Sequence, residues 1–586
     1  MLGLANLSRV RWPAAITIVL ATTWSTTCAQ TPAAEPSLAP YVRQVLADLA
    51  DHARFHHLTW SSQVIRQRIE FVTALQQQLE AELARRGELS PSAAIDATLL
   101  QGRLASEQND LQLRQRRRAE MDSLIPFAEA SFALERNRAA RAPLSAQAAA
   151  TTLSQIAEQA KAVTQRLEAK PDPARTEPTT TEINPVVAWR SAKAIDLCRA
   201  AHNSWAEHHR GFNPEFDFWC AAPLAAADEA LGKLGAHLRE QIAQQRGAPD
   251  DPLVGDPIGA EALTNALRTE RIALTSTELL ALAEEQTQWC HTELKRAAAE
   301  LGLGDDWPAA LEQAKNSAEP IGQQADFVAR IAQEATDFVT SRSLVTVPPL
   351  AAALWRTDML SPQRQRTLPF AAYGGQCMLV AFPHAGMSHP DKLMAQRSNN
   401  RHGTRLVVPH ELIPGHHLQA FMSQRYQEHR RGFSTPFYVE GWALYWEMKL
   451  WDLNWASTPL DKVGMLFWRL HRAARITVSL KFHLGQMQPQ EMVEYLVTTV
   501  GHERATASAE VRRFIGDDYG PLYQVGYLTG GVQLRALWNE MVTTGGMTEL
   551  EFNDRVLKTG PIPIDLVRHE LQGTVPQRDA TWRFGR

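Results

Sequence analysis

Thiols are scarce in this sequence. Five cysteines occur in 586 residues (Cys28, Cys198, Cys220, Cys290, Cys377), and no two stand in a Cys-x-x-Cys pair. Without that spacing a thiolate metal site has no support. Charge of one sign is missing too. A formal net charge of −4 gives no electrostatic reason to expect nucleic acid or an anionic membrane as a partner. The one dense basic run, Arg114, Arg116, Arg117 and Arg118 beside Glu120 and Asp122, reads as a solvated helix face. Sustained strand alternation is rare, with "CMLVAF" (377–382) the best candidate, and no repeat period shows.

What is present reads as a globular, mainly α protein. The composition is 44% hydrophobic and 21% charged, as ordinary soluble domains are. Residues 62–86 carry apolar side chains at three- and four-residue intervals and stop at Gly87, and Ser90-Pro91-Ser92 restarts a helix that runs past 120. A Pro- and Thr-rich stretch, 168–185, and a second break, 246–259, punctuate the chain. These marks divide it into an N-terminal segment 1–29, a helical region 30–185 and a catalytic helical region 186–586. At most a small β element is expected near the site.

The N-terminal segment has the order of a secretory signal peptide. Arg9 and Arg11 precede the apolar "AAITIVLA" (14–21), and small residues follow up to Ala29. The apolar stretch is far shorter than the roughly 20 residues a membrane span needs, so a mature chain without an integral span, periplasmic or secreted, is expected. A short buried N-terminal helix is the alternative. Cleavage after Ala29 is favoured over lipid attachment at Cys28, because the bulkier Thr27 precedes that cysteine. In an oxidising compartment Cys198 and Cys220 could pair. Buried free thiols are the competing reading.

The chemistry lies in "VVPHELIPGHHLQ" (407–419). A hydrolytic zinc site needs three protein ligands, an open position and a carboxylate to take a proton from water. His410 and Glu411 supply a ligand and a base. The usual second histidine four residues on is replaced by Pro414. On a regular helix His416 would lie about 120° around from His410, and His417 roughly 10 Å further along the axis. Pro414 clashes with the carbonyl one turn back, and Gly415 opens backbone angles closed to other residues. A bulged or kinked helix can therefore swing a later histidine back, with His416 preferred to His417 because the segment reads as an insertion before Gly-His.

The third ligand is sought in "FYVEGWALYWEMKLW" (437–451). Glu440 and Glu447 are one heptad apart on one helix face, and a carboxylate among aromatic side chains needs a partner. A metal ion is one such partner for Glu440. An ion pair with a buried arginine such as Arg475 is the other. Glu447 reads as a supporting carboxylate or an ion-pair member.

The segments "HELIPGHHLQ", "EGWALYWE", "RAARITVSLKFH" and "AEVRRFIGDDYGPLYQVGYLTGG" resemble a widespread bacterial family catalogued as domain of unknown function 885, which usually carries His-Glu-x-x-Pro-Gly-His-His. The similarity runs from about residue 40 to the C-terminus. The family in turn looks like a distant relative of gluzincin peptidases, which implies a mostly helical fold and a His, His, Glu zinc site. Residue by residue, His410, His416 and Glu440 match the ligand positions and Glu411 the base. One departure is Ser479, where the family commonly has Asp between the positions of Arg475 and His483. For oxyanion stabilisation Tyr527 is the first choice, with Tyr523 and His483 in reserve. Either tyrosine alone could instead be a packing residue with a satisfied hydroxyl. Arg475 suits a substrate carboxylate or a buried ion pair. The leading expectation is an exported hydrolase holding one Zn2+ per chain and cutting bonds in short peptide substrates. An amidase or esterase on a cell-wall or small-molecule substrate keeps the metal, and a catalytically silent peptide-binding protein abandons turnover.

Overall fold

Local punctuation starts and stops the helices where the sequence says it should. Ser61 caps Ser62–Arg86 by accepting from the Val64 amide, and Gly87, with φ 75°, ends it. Ser90 caps Pro91–Glu120 in the same way. The computed structural model describes residues 37–169, 183–247, 251–366, 368, 370–516, 519–578 and 580–585. The signal-peptide reading of 1–29, with Cys28, lies outside these residues, as does most of the Pro- and Thr-rich 168–185. Residues Leu38–Arg586 form one compact unit, mainly helical with one small sheet. Among the described residues no helix is long and apolar enough to cross a membrane.

One core is built by the helices Ala146–Glu168, Pro185–His209 and Pro214–Ala236. Cys198 and Cys220 lie within it as buried free thiols. Burial pushes Cys198 up to about 12, and Cys220 Sγ donates to the Ala146 carbonyl at 3.3 Å. The possible bridge between them does not form. The basic run is a solvated face only in part: Arg116 is exposed, while Arg114 and Arg117 are half-buried. Arg118 is buried, its Nε 3.1 Å from the Trp60 carbonyl and its Nη1 paired with Asp122. Arg117 reaches Asp256 at 2.9 Å. The reason is that Pro91–Glu120 packs against the later helix Gly259–Thr269, a neighbour that the run's own sequence does not announce.

The small sheet is three-stranded. Strands β1 (Arg356–Met359), β2 (Ala371–Tyr373) and β3 (Cys377–Val380) lie in the order β1-β3-β2. β1 runs parallel to β3 with Arg356 opposite Cys377, and β2 runs antiparallel with Tyr373 opposite Met378. β2 is thus an edge, and its last residue, Tyr373, reaches the histidine segment.

The helix that positions the site is Pro436–Asp452, buried on every face from Phe437 to Leu450 save Val439. It packs tightly on Tyr523–Trp538. Glycines set their separation. A Cβ on Gly530 would meet the Phe437 carbonyl oxygen at 2.0 Å, and one on Gly441 would meet Gly530 Cα at 2.7 Å. Three glycines of "GPLYQVGYLTGG", Gly526, Gly530 and Gly531, are room for that helix, where a Cβ would meet Pro436, Phe437 and Leu444. Gly530→Ala should lower stability by about 1–3 kcal/mol, read as an earlier urea midpoint. An unchanged midpoint would mean the two helices can part without loss.

Candidate metal centre

The histidine segment is two helices, not one bent one. Arg401–Glu411 begins with the Asn400 side chain accepting from the Gly403 amide, and it ends at Leu412. His416–Ser423 follows after a turn through a cis Ile413–Pro414 peptide. The turn is held by Gly415 N donating to the Pro409 carbonyl (2.9 Å) and His417 N to that of Leu412 (3.1 Å). The Trp442 indole donates to the Pro414 carbonyl at 2.9 Å, which ties the turn to the glutamate helix. Gly415 is sterically required: a Cβ there would lie 1.8 Å from the His410 carbonyl oxygen. The outcome is that the His410 and His416 rings meet edge to face, with centroids 4.8 Å apart.

Glu440 completes a cluster. Its Oε2 lies 3.2 Å from His416 Nε2 and 3.7 Å from His410 Nε2, yet no hydrogen bond is aligned to that oxygen. All three ligand atoms lie within 4.8 Å of one another, and all three residues are buried. Donors about 2 Å from a shared ion sit about 3–4 Å apart, so the set fits a tetrahedral cation. On the other side of His410, Glu447 Oε1 lies 2.7 Å from Nδ1, though no hydrogen bond is aligned there; a carboxylate at that nitrogen is the neighbour that a ligand histidine ring commonly has. His417 is committed elsewhere. Its Nε2 is 2.8 Å from the Ala351 carbonyl and its Nδ1 3.3 Å from the Tyr373 hydroxyl.

Charge supports the same fit. Of the carboxylates here only Glu447 has a guanidinium partner, Arg472 at 3.2 Å. Among the described residues Glu440 and Glu411 have none, and the Glu411 carboxylate makes no hydrogen bond. Either protons on histidine or a cation must balance the buried negative charge. Burial pushes His410 down, but Glu440 and then Glu447 outweigh it and hold it up at about 9. Burial would likewise raise the Glu440 carboxyl, but His416 and His410 hold it well below the usual range. A divalent ion would do the same balancing without the proton.

Two tyrosines border the cluster from Tyr523–Trp538. The Tyr523 hydroxyl donates to Glu440 Oε1. The Tyr527 ring stacks nearly parallel to His410, 6.4 Å between centroids. Its hydroxyl has only a long contact, 3.5 Å, from Arg513. Burial, then Glu440, pushes Tyr527 up to about 12, against the opposing pull of Arg475, Arg513 and Arg472. It therefore stays a proton-bearing donor at neutral pH.

Other expected residues fall further out. Arg475 does not pair with Glu440. It binds Glu510 at 2.9 Å and lies over the Tyr527 ring, 4.4 Å from its centroid. His483 is not brought to the cluster; it is buried two turns beyond Arg475 against a separate cavity, and burial pushes it down to about 4. Ser479 Oγ is buried without a partner one turn from Arg475, whose Nε and Nη1 are also unpartnered. The sequence reading missed Arg472, Glu510, Arg513 and Tyr373. Arg472 had a signal, since it stands three before Arg475 on one helix face. It also missed a buried chain, in which His502 Nε2 lies 2.9 Å from His471 Nδ1 and His471 Nε2 3.2 Å from Glu510.

Comparison with known proteins places the sequence. A family model described as "Bacterial protein of unknown function (DUF885)" matches residues 49–571. The chain belongs to the DUF885 family. No curated protein matches it. A Shewanella oneidensis protein, provisionally described as a lipoprotein of unknown function, has a similar structure. Its TM-score is 0.66 at 15% identity, covering 92% of this chain and 100% of that one. A Colwellia psychrerythraea protein, provisionally described as a lipoprotein, gives 0.55 at 15% identity, covering 92% and 99%. At such identity the likeness speaks to fold, and this DUF885 member shares that fold.

Proposed function

We propose that this DUF885 protein is an exported zinc-dependent hydrolase that cuts peptide bonds, most readily in short peptides. The observation that carries the reading is the convergence of His410 Nε2, His416 Nε2 and Glu440 Oε2 beside a carboxylate, Glu411, that nothing else engages. A zinc ion held there would polarise a carbonyl and acidify an attacking water. Glu411 adjoins His410 in the chain, points about 100° away from it, and takes the proton to hand on to the leaving nitrogen. Glu447 stands at the Nδ1 of His410, and Tyr523 fixes Glu440 through Oε1. Tyr527, with its hydroxyl lightly held, donates to the oxygen on which charge develops.

The test is elemental analysis of purified protein after mild dialysis, with about one zinc per chain expected. Protein that neither carries nor takes up zinc removes the reading. His416→Ala should lose that zinc while His417→Ala keeps it, because both His417 nitrogens face the Ala351 carbonyl and the Tyr373 hydroxyl. Export is supported by the order of residues 1–29 and by the description of both similar structures as lipoproteins. Those descriptions give no support to ranking cleavage at Ala29 above lipid attachment at Cys28. Mass spectrometry of the native N-terminus separates the two, and an intact Met1 overturns both.

A further inference from the structure

Three guanidiniums stand around the tyrosine to which the reading above gives the developing charge. Those of Arg475 and Arg472 lie 4.4 and 4.9 Å from the Tyr527 ring centroid, within reach of cation–π attraction. Arg513 Nη2 lies 3.5 Å from the Tyr527 hydroxyl. A guanidinium only donates, so in that contact the phenol oxygen accepts and its own proton stays free. Among the described residues the hydroxyl has no other partner. Its aim is therefore set by what packs on the ring and by Arg513.

The guanidiniums are held in different ways. Arg472 takes Glu447 at 3.2 Å, the carboxylate already beside His410. Arg475 and Arg513 come from separate helices, Pro459–His483 and Arg504–Phe514, and share a single carboxylate. Glu510 accepts from Arg475 Nη2 at 2.9 Å, and Arg513 Nη1 lies 3.5 Å from its other oxygen. His471 Nε2 is 3.2 Å from it as well. Among the described residues neither arginine has another acidic partner, and Arg475 Nε and Nη1 have no hydrogen bond at all. Glu510 is fully buried. Stability alone is a poor reason for that, because well-packed apolar side chains commonly replace a buried ion pair without loss. The two helices already share a core through Val478, Phe482, Val511 and Phe514. What an apolar pair cannot do is hold two guanidiniums against one phenol.

We propose that Glu510 is a positioning residue of the hydrolase, setting the Tyr527 side chain through Arg475 and Arg513 so that its hydroxyl proton faces the substrate oxygen. The inference rests on the hydrolase reading and deepens it. Glu510 is not among the converging ligand atoms, so its removal should spare zinc and substrate binding and cost rate through Tyr527 alone.

A double-mutant cycle on the full, zinc-loaded chain tests this, with kcat and KM read on a peptide that the parent cuts. Glu510→Gln should lower kcat about tenfold, part of the about 10²–10³ that a donor to a developing oxyanion is worth. KM and zinc per chain should stay at the parent's values. In the Tyr527→Phe background the same substitution should change kcat less than about twofold, because no hydroxyl is left to aim. Glu510→Asp should recover part of the loss. Calorimetry gives a readout without turnover. A phosphinic peptide, whose tetrahedral oxygen stands in for the oxyanion, should bind Glu510→Gln about tenfold more weakly than the parent, and Tyr527→Phe should erase that difference too. Arg513→Gln repeats the cycle while leaving Arg475 paired with Glu510, and it decides the matter where Glu510→Gln does not fold. No loss in the parent background, equal losses in both backgrounds, a loss carried by KM, or zinc lost in step with rate overturns the proposal. In a parent that holds zinc and cuts peptides, those results remove only the role of Glu510. A parent that holds no zinc or cuts nothing removes the hydrolase reading, and the positioning role with it.

Discussion

Glu411→Gln is expected to keep its fold and its zinc and to lose peptide hydrolysis by about 10²–10⁴. The argument is local. Glu411 is not among the converging ligand atoms, so an amide of nearly the same size leaves the cluster intact. The residue is buried with 8% exposure, and its carboxylate makes no hydrogen bond or ion pair among the described residues. An amide cannot take up the proton that attack by water releases. The loss should therefore fall on kcat, with KM little changed, since substrate contacts are untouched. A peptide library read by mass spectrometry against the parent supplies the measurement. Cleavage by the variant at the parent's rate would remove Glu411 from the mechanism. Peptide binding by both proteins with cleavage by neither would leave a silent binding protein.

The fold class was legible because helix starts and stops are written locally, at Ser61, Gly87 and Ser90. The convergence of His410, His416 and Glu440 was legible for a different reason. A glutamate amid Phe437, Tyr438 and Trp442 must find a positive partner, and a proline four after a histidine must break a helix. How the helix breaks was not legible, because kinking and complete separation satisfy the same residues. Nor were the supports around Tyr527. Arg475 and Glu510 are 35 residues apart, on helices whose periodicity gives no hint of the other. The same holds at the cavity beside His483. Arg117 faces a segment 139 residues away, so part of a basic run that reads as a solvent face is covered. Three glycines of 520–531 show the limit in another form, since close approach is written in the sequence but the object approached is not.

Gly415→Ala is expected to empty the metal centre with all its ligands still present. The added Cβ would stand 1.8 Å from the His410 carbonyl oxygen and 2.6 Å from that of Pro409. Both obstacles are backbone, at the end of a helix anchored through buried Leu406, Val408 and Leu412, so no flexible side chain can yield. The turn itself must open, breaking the bond from Gly415 N to the Pro409 carbonyl and carrying His416 away from His410. Ligands misplaced by an ångström bind poorly, and loss of mere supporting contacts already costs about 10–100-fold in metal affinity. Zinc per chain should therefore fall from about one to near zero after dialysis, a loss like that of His416→Ala although no ligand atom is removed. Helical content by circular dichroism should stay close to the parent's, because only one short turn is altered. Added zinc should raise the Tm of the parent, by the stabilisation a ligand confers on the folded state alone, and leave that of Gly415→Ala unmoved. A variant that binds zinc as the parent does would show that the turn at 412–415 is not what brings the two histidines together.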